Sequence, residues 1–447
     1  MIIKNYEKII NNGKTPELKK IRIDILNILN NVINAVDPYN AVKSKIYKEK
    51  IQLNDKDIFY LKDFENIYLV GFGKASIGMA QAVSDTIEIK EGAIITNQKN
   101  KIVENKKIKT YEGGHPLPNQ GSVKGTEKIL EIVKKCSEKD LLIVLISGGG
   151  SALLTKPRIN LKDLQKITNL LLKCGANINE INTIRKHLSY VKGGQLASNT
   201  KSKVVSLIIS DIINDPIGFI ASGPTYPDLT TFKDAKKILN KYNLWVKIPL
   251  SAKKVIENGL YNVIEDTPDK NSNFFRNVKN FIIANNEIAC QAAINKAKNL
   301  GYKTMLLTTS LDGEAKDVGK FIVKKALNFI DSQEKYLFIS GGETTVTIRG
   351  NGKGGRNQEM VLGSVKDLNE KNLVFSSFAT DGIDGTTDAA GAIADSFTYD
   401  RALNKNLNPD SFLNDNNSNA FFKELDDLYI TGPTGTNVMD VQILIKF

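Results

Sequence analysis

The chain has 447 residues, enough for two or three domains of ordinary size, and 41% of them are apolar, which excludes a disordered chain. Its longest apolar runs, at 141–146 and 204–209, are far shorter than the ~20 residues of a membrane helix. Residues 1–16 are polar and charged, unlike a signal peptide. We therefore expect a soluble, cytoplasmic protein that does not engage a membrane.

The cysteines and histidines limit the metal chemistry. Three cysteines lie far apart without CxxC spacing, and there are two histidines. This pattern excludes a disulfide framework, a zinc site and a histidine-rich metal centre. A metal, if one binds, should be a hard cation held by carboxylates.

The charge is unevenly distributed. The formal net charge is +12, but residues 361–447 carry six basic and thirteen acidic side chains. The lysines are scattered and form no basic stripe interleaved with aromatic residues, which argues against a nucleic-acid partner. A lysine-rich surface that attracts small anionic molecules is the better interpretation.

The hydrophobic pattern predicts helices first and two α/β domains after them. Residues 1–62 are predicted to be helical, with an apolar stripe from Ile21 to Val36 that stops before Pro38. Short continuous apolar runs then alternate with helical spacing, as in parallel sheets: 67–70, 93–96, 141–146 and 204–209. After a polar segment come further strands, several with no room for a helix between them: 281–284, 305–308, 336–339, 346–348, 373–378, 428–431 and 441–445. We predict an N-terminal domain over 1–264 with a mainly parallel sheet, a linker over 265–280 and a C-terminal domain over 281–447 with a mixed sheet.

Two glycine-rich turns that follow strands are candidates for binding an anion. Gly71 and Gly73 precede Lys74, a point charge suited to a phosphoryl oxygen, although a glycine turn with a solvated lysine remains an alternative. Gly148, Gly149 and Gly150, followed by Ser151, end the most hydrophobic run and can form an anion nest. Neither turn matches a Walker A loop or a GxGxxG fingerprint.

Two similar turns occur in the C-terminal half. Gly341 and Gly342 end a strand in the same way as the triple glycine. Further on, Lys353, Gly354, Gly355 and Arg356 form a stretch that can close over a polyphosphate, unless it is a surface hairpin.

Carboxylates and histidines supply the remaining candidate groups. Asp211, Glu343, Asp381 and Asp384 lie in turns after strands, where they can hold magnesium or accept a proton, or can simply form Asx turns. His115, in a loop stiffened by prolines, can bind a substrate or be structural, and Lys192 offers another anion contact.

Eight ordered motifs closely resemble the glycerate 2-kinases of the MOFRL type over the whole chain: GFGKAS, GGHPLP, SGGGSALL, INTIRKHLSYVKGGQLA, SDIINDPIGFIASGPTYPD, GGETTVTIRGNGKGGRNQE, ATDGIDGTTDAAGA and GPTGTNV. The resemblance implies a Rossmann-like three-layer N-terminal domain, a C-terminal α/β domain and an active site in the cleft between them. It also implies ATP-dependent phosphorylation of D-glycerate at its 2-hydroxyl. The family's active-site lysine and arginine fall on Lys74 and Arg356. Members have often been labelled hydroxypyruvate reductases.

The family's aspartate-rich turn falls on Asp381 and Asp384, and its SD turn on Asp211. The chain departs from the family in two places. It reads SDIINDP where the family usually has an SDVPGDD-like sequence, and Asn119 stands where an acidic residue tends to follow HPLP. Roles for Asp215 and Asn119 are therefore not carried over.

These observations combine into one mechanistic expectation. ATP phosphates bind at the glycine-rich turns, and Mg²⁺ is held by Asp381, Asp384 or Glu343. Lys74 and Arg356 neutralise charge, and Asp211 or the Asp381 and Asp384 pair accepts the hydroxyl proton. The carboxylate of D-glycerate is bound by one or more of three basic residues, His115, Arg185 or Lys192.

Two other functions remain open, an NAD(P)-dependent hydroxypyruvate reductase, which lacks its GxGxxG here, and a non-catalytic protein that binds a nucleotide or sugar acid. A homodimer is compatible with the sequence.

Overall fold

A computed structural model describes residues 1–329 and 334–447 and contains two α/β units, each with a six-stranded sheet. The parallel-sheet unit comprises Pro38–Ser210 and Asp215–Ile283, and the mixed-sheet unit comprises Met1–Asp37, Asp211–Asn214 and Ala284–Phe447. The predicted fold class, two α/β domains with a parallel and a mixed sheet, is confirmed. Among the described residues, no helix is long and apolar enough to cross a membrane.

The elements follow one another in a regular strand and helix alternation after three N-terminal helices. The first part of the chain contains α1 (Tyr6–Asn11), α2 (Pro16–Val36), α3 (Pro38–Lys43), β1 (Lys50–Gln52), β2 (Ile58–Tyr60), β3 (Ile67–Phe72), α4 (Ser76–Ser84), β4 (Glu91–Thr96), β5 (Ile108–Glu112), α5 (Gln120–Lys135), β6 (Leu141–Ile146), α6 (Gly150–Leu153), α7 (Leu161–Lys173), α8 (Ile178–His187), β7 (Lys203–Ile209), α9 (Phe232–Lys241), α10 (Leu250–Leu260) and β8 (Val278–Ala284). The rest contains α11 (Asn286–Asn299), β9 (Lys303–Leu311), α12 (Ala315–Leu327), β10 (Tyr336–Gly342), α13 (Arg356–Leu368), β11 (Leu373–Ala379), β12 (Gly391–Asp395), α14 (Thr398–Leu403), α15 (Pro409–Asn414), α16 (Ser418–Glu424), β13 (Leu428–Tyr429) and β14 (Asp440–Lys446).

The parallel sheet has the strand order β5-β4-β3-β6-β7-β8. Strands β3 to β7 pair in parallel, and every residue of β6 is buried, which explains its uninterrupted apolar sequence. The order corresponds to the 3-2-1-4-5-6 arrangement of Rossmann folds, with the reversal between β3 and β6. Ligands bind at such a reversal, beyond the carboxyl ends of the strands, and both glycine turns of this unit lie there.

The mixed sheet has the order β13-β12-β11-β14-β10-β9. Among the described residues of this sheet, only β9 and β10 pair in parallel, and β14 runs antiparallel between β10 and β11. Phe338, Phe375, Phe421 and Leu444 belong to its buried core. Residues 346–348, predicted as a strand, form none, because the segment pairs with no neighbouring strand and Ile348 is exposed.

The N-terminal helices belong to the mixed-sheet unit. Arg22 of α2 is fully buried, and its guanidinium donates to Asp395 at 2.6 and 2.9 Å and to Asp427 at 2.7 Å. The Tyr302 hydroxyl donates to Asp24 at 2.8 Å. Leaving such a buried cation without its carboxylates would be costly, so α2 is fixed to this unit.

The compact units therefore divide the chain differently from the predicted 1–264 and 281–447 boundaries. The predicted linker also contributes structure, since β8 begins inside it. Within the first 62 residues, predicted to be helical, 50–60 instead form a hairpin. Its turn is fixed by Asn54, whose side chain accepts from the amides of Lys56 and Asp57 at 2.8 Å each.

Candidate active site

The first glycine turn packs directly against the second. A Cβ on Gly73 would lie 2.1 Å from Ser147 Oγ, and Gly73 has φ +131°, so only glycine permits this approach. The Gly73 amide donates to Ile95 O at 3.1 Å and the Lys74 amide to Gly148 O at 2.9 Å. These two amides donate to backbone carbonyls in the structure, which argues against their use in the anion contact that the sequence predicts.

Gly71 also has a structural role, different from the predicted phosphate contact. It lies inside β3, and a Cβ there would come within 2.8 Å of Ile94 and 3.0 Å of Leu145. Its lack of a side chain lets the neighbouring strands pack. Sequence alone does not separate this use of glycine from an anion-binding one.

The second turn keeps backbone donors available. Among the described residues, the amides of Gly148 and Gly149 have no hydrogen-bond partner, while the Gly150 amide donates to Ser147 O at 3.2 Å. Gly149 has φ +80°, and a Cβ on it would lie 2.9 Å from the His115 ring and 3.3 Å from Lys74 Cγ. The free amides of the second turn therefore lie close to the side chains of His115 and Lys74. Burial, with the charge of Lys74, lowers the pKa of His115 below its usual value.

A cavity of about 480 Å³ opens beside this turn and brings together the three residues assigned to the substrate. We call it the basic cavity, because His115, Arg185 and Lys192 line it and none of the described residues in its lining is acidic. Lys192 Nζ donates to Ser151 O at 2.7 Å and to Leu154 O at 2.9 Å. Burial, with the nearby charge of Arg185, lowers the pKa of Lys192 to about 7.

Arg185 is the least satisfied of these groups. Within residues 1–329 and 334–447, its guanidinium makes no hydrogen bond or ion pair. Burial lowers its pKa, since charge is penalised away from water. An unpaired guanidinium in a cavity is a strong donor for a carboxylate or phosphate.

The mixed-sheet unit has its own cavity of about 510 Å³, which we call the acidic cavity because Glu343 and Glu359 line it. Gly354, Gly355 and Arg356 also line it. Arg356 donates to both oxygens of Asp440, at 2.5 and 3.0 Å, and to Glu343 at 2.8 Å. Burial raises the pKa of Asp440 to about 6, against the opposing effect of Arg356.

The loop that carries Lys353 is pinned rather than free. Its amides donate to the side chains of a second loop: Arg349 and Gly350 to Asn416, Asn351 to Asp415, and Lys353 to Asn417. These bonds argue against the flexible surface hairpin that the sequence leaves as an alternative.

Gly341 and Gly342 likewise serve close packing. A Cβ on Gly341 would lie 1.9 Å from Asn286 Oδ1, and one on Gly342 would lie 2.3 Å from the backbone of Leu311. Gly341 therefore makes room for the Asn286 side chain and Gly342 for the neighbouring strand β9, whereas the sequence predicts that both contact phosphate.

Asp384 has a different role from the predicted metal ligand. Its buried carboxylate accepts from the Asn357 amide at 3.0 Å and side chain at 3.2 Å. It also accepts from the Gln358 amide at 2.9 Å and side chain at 2.8 Å. These bonds satisfy the free amides at the start of α13, where a negative charge is favoured.

The other predicted carboxylates are distributed differently. Asp381 accepts from the Ile383 amide at 3.0 Å, and Asp211 follows β7 in the short segment that belongs to the mixed-sheet unit. Among the described residues, no group of three or more histidine, cysteine, aspartate or glutamate side chains is placed to hold a metal. Magnesium often uses one or two carboxylates with substrate phosphates, and the oxygen donors of Asp381 and Glu343 fit that mode.

Sequence reasoning missed Asp440 and Glu359. Asp440 lies 84 residues from Arg356 and carried no local signal. Glu359 follows Arg356 by three residues, a spacing that puts both on one side of a helix and could have indicated it. Glu359 Oε1 and Thr344 Oγ1, both buried residues of the acidic cavity, have no partner within the described part of the chain. Burial raises the pKa of Glu359.

Comparisons with known proteins identify the family. A family model described as a domain of unknown function, DUF4147, matches residues 24–257, and the MOFRL family model matches 336–440. The glycerate 2-kinase of Pyrococcus horikoshii is 42% identical over 94% of this chain and 96% of its own, and the D-glycerate 2-kinase of Thermotoga maritima is 38% identical over 95% and 98%.

Solved structures agree with this result. A Pyrococcus horikoshii protein has a TM-score of 0.87 at 42% identity, covering 95% of this chain and 98% of its own. The Thermotoga maritima glycerate kinase also has 0.87, at 37% identity over 96% and 100%. The chain therefore belongs to the MOFRL-type glycerate kinase family.

Proposed function

We propose that the protein transfers the γ-phosphoryl group of ATP to the 2-hydroxyl of D-glycerate and so forms 2-phosphoglycerate and ADP. The observation that carries this proposal is the set of basic groups around the second glycine turn. Lys74, His115, Arg185 and Lys192 lie there beside two free amides, and the cavity has no acidic residue in its lining within 1–329 and 334–447. The names of the relatives support the same reaction.

Phosphoryl transfer depends mainly on positioning and on neutralising charge. Lys74, placed against Gly149, supplies positive charge close to the free amides. Arg356 is the second candidate cation. Its bonds to Asp440 and Glu343 use three of its five N–H donors and fix its orientation, which leaves two donors for a phosphoryl oxygen. A preoriented charge loses little energy to reorganisation during the reaction.

The acceptor hydroxyl must lose its proton to a carboxylate: Asp211 is the candidate if Asp381 holds Mg²⁺, and Asp381 is the alternative if Glu343 holds it. Mg²⁺ held by Asp381 or Glu343 would neutralise charge on the phosphate oxygens. Glu343 also anchors Arg356 and so couples the metal ligand to the cation.

The hydrogen bonding of the first turn argues against the reductase alternative. A Rossmann reductase binds the pyrophosphate of its cofactor at the turn after the first strand, using free amides and a GxGxxG sequence. Here the Gly73 and Lys74 amides are already bound to Ile95 and Gly148. The kinase reaction needs no such turn.

The test compares three variants in a continuous assay with ATP, Mg²⁺ and D-glycerate. Lys74→Ala and Arg356→Ala should each lower kcat by about 10²–10⁴, the scale of losing a partner for developing charge. The exposed Lys90, changed to alanine, should turn over like the wild type. Wild-type turnover in Lys74→Ala or Arg356→Ala would remove that residue from the mechanism.

A further inference from the structure

We propose that the basic cavity is the nucleotide site, with adenosine against an apolar wall formed by α7 and the phosphates against Gly148 and Gly149. This inference rests on the proposed kinase function. It changes one sequence assignment, because Arg185 and Lys192 then bind phosphate oxygens instead of the carboxylate of D-glycerate.

The size of the cavity is the first argument. D-glycerate occupies roughly 120 Å³, about four times the 30 Å³ share of a liquid water molecule. The basic cavity measures about 480 Å³, within the range of sites that take ligands the size of a nucleotide. Glycerate would leave most of this space unfilled.

The wall of the cavity is the second argument. Leu164, Thr168 and Leu172 line it at four-residue intervals along α7, and Leu117 lies in the lining loop after β5. Leu172 and Leu117 are 58% and 41% exposed, so apolar surface is left open to solvent. A purine ring would cover this surface, whereas a small hydrophilic acid would not.

Charge is the third argument. An ionised triphosphate carries several negative charges and glycerate carries one. His115, Arg185 and Lys192 line the cavity and Lys74 lies against Gly149, and Arg185 has no partner in the described part of the chain. Lys192 uses two of its three donors on Ser151 and Leu154, which fixes its ammonium and leaves one donor for a ligand.

The acidic cavity lacks the excess of positive charge that the basic cavity has. Glu343 and Glu359 line it, and its arginine, Arg356, is already paired with Asp440 and Glu343. A polyanion would meet two carboxylates there, and the part of the chain that the structure describes places no unpaired side-chain cation in this lining. Of the two cavities, the basic one therefore suits a nucleotide better, and Gly149 in its lining belongs to the turn after β6, one of the two strands at the strand-order reversal where α/β sheets bind such ligands.

The test measures binding without turnover. ADP and D-glycerate are titrated separately by calorimetry into the full-length protein and two variants, Leu172→Ala and Leu117→Ala. Both side chains are partly exposed, so the variants should fold normally. The control is Leu229→Ala, at an 80% exposed leucine outside the cavity.

We expect each cavity variant to weaken ADP by about five- to twentyfold, since a truncated leucine gives up apolar contact, and to leave the dissociation constant of D-glycerate within twofold. The control should bind both ligands like the wild type. Arg185→Met should weaken ADP by about tenfold or more, because a charged hydrogen bond is lost.

The contrary result is equally specific. If Leu172→Ala and Leu117→Ala weaken D-glycerate and leave ADP unchanged, or if D-glycerate displaces a fluorescent ADP analogue competitively, the cavity belongs to the acceptor and the inference is overturned. Neither result would contradict the proposed kinase reaction. A wild-type protein that binds ADP as described but phosphorylates no glycerate would contradict the proposed function alone.

Discussion

Asp384 either caps helix α13 or binds a metal, and the substitution Asp384→Ala distinguishes these two roles. The substitution removes four hydrogen bonds of 2.8 to 3.2 Å from two residues at the start of α13. Loss of a cap costs about 0.5–2 kcal/mol. The side-chain amides of Asn357 and Gln358, both buried, lose a partner as well, at about 1 kcal/mol each or more. We expect the free energy of unfolding to fall by about 3 kcal/mol in total.

The assay is urea unfolding followed by far-ultraviolet circular dichroism, with Asp388→Ala as the matched control. Asp388 lies in the same turn but is exposed, so its loss should change the free energy of unfolding by about 0.5 kcal/mol or less. The Mg²⁺ concentration that gives half-maximal activity should be the same in Asp384→Ala and the wild type. Equal stability of the two variants, together with a tenfold rise in that Mg²⁺ concentration for Asp384→Ala, would refute the cap and restore the metal ligand.

Three further predictions concern burial, backbone geometry and pH. Arg22→Met should lower the free energy of unfolding measured in urea by about 3–5 kcal/mol, because it leaves two buried carboxylates unpaired. The control Lys8→Ala removes an exposed ion pair and should lower it by less than about 1 kcal/mol. Equal losses in the two variants would contradict this prediction. Gly149→Ala should abolish tight ADP binding because its Cβ meets His115, whereas Gly175→Ala, also at positive φ but with no atom nearby, should bind ADP normally. ADP affinity should fall as the pH rises through about 7, because Lys192, with its pKa lowered to about 7, loses its charge there. The pKa of His115 is lowered from its usual value, so this histidine is not the cause. Lys192→Met should therefore remove the pH dependence. A pH dependence that persists in Lys192→Met would assign it to another group.

Much of the fold was predictable because buried parallel strands have a distinct sequence. β6 reads as six consecutive apolar residues, and all of them are buried. The partner of α2 was not predictable, because Arg22 pairs with Asp395 and Asp427, 373 and 405 residues away. The apolar stripe of α2 indicated burial but not the surface that buries it.

The candidate site was predictable in its residue types and less so in their roles. His115, Arg185 and Lys192, each a candidate for binding the substrate carboxylate, line one cavity, and their role stays a prediction. The glycines were ambiguous, since Gly73 permits two turns to touch, while Gly148 and Gly149 leave amides free. Local sequence does not indicate which backbone amides form hydrogen bonds within the fold and which stay available to a ligand.

The most direct test of the kinase reaction is a coupled assay of the purified protein with ATP, Mg²⁺ and D-glycerate. Enolase is the coupling enzyme, because it consumes 2-phosphoglycerate and not the 3-isomer. We predict a signal that requires D-glycerate, ATP and Mg²⁺ together. No signal under these conditions, with NADH or NADPH consumed when hydroxypyruvate is added, would contradict the kinase and establish the reductase.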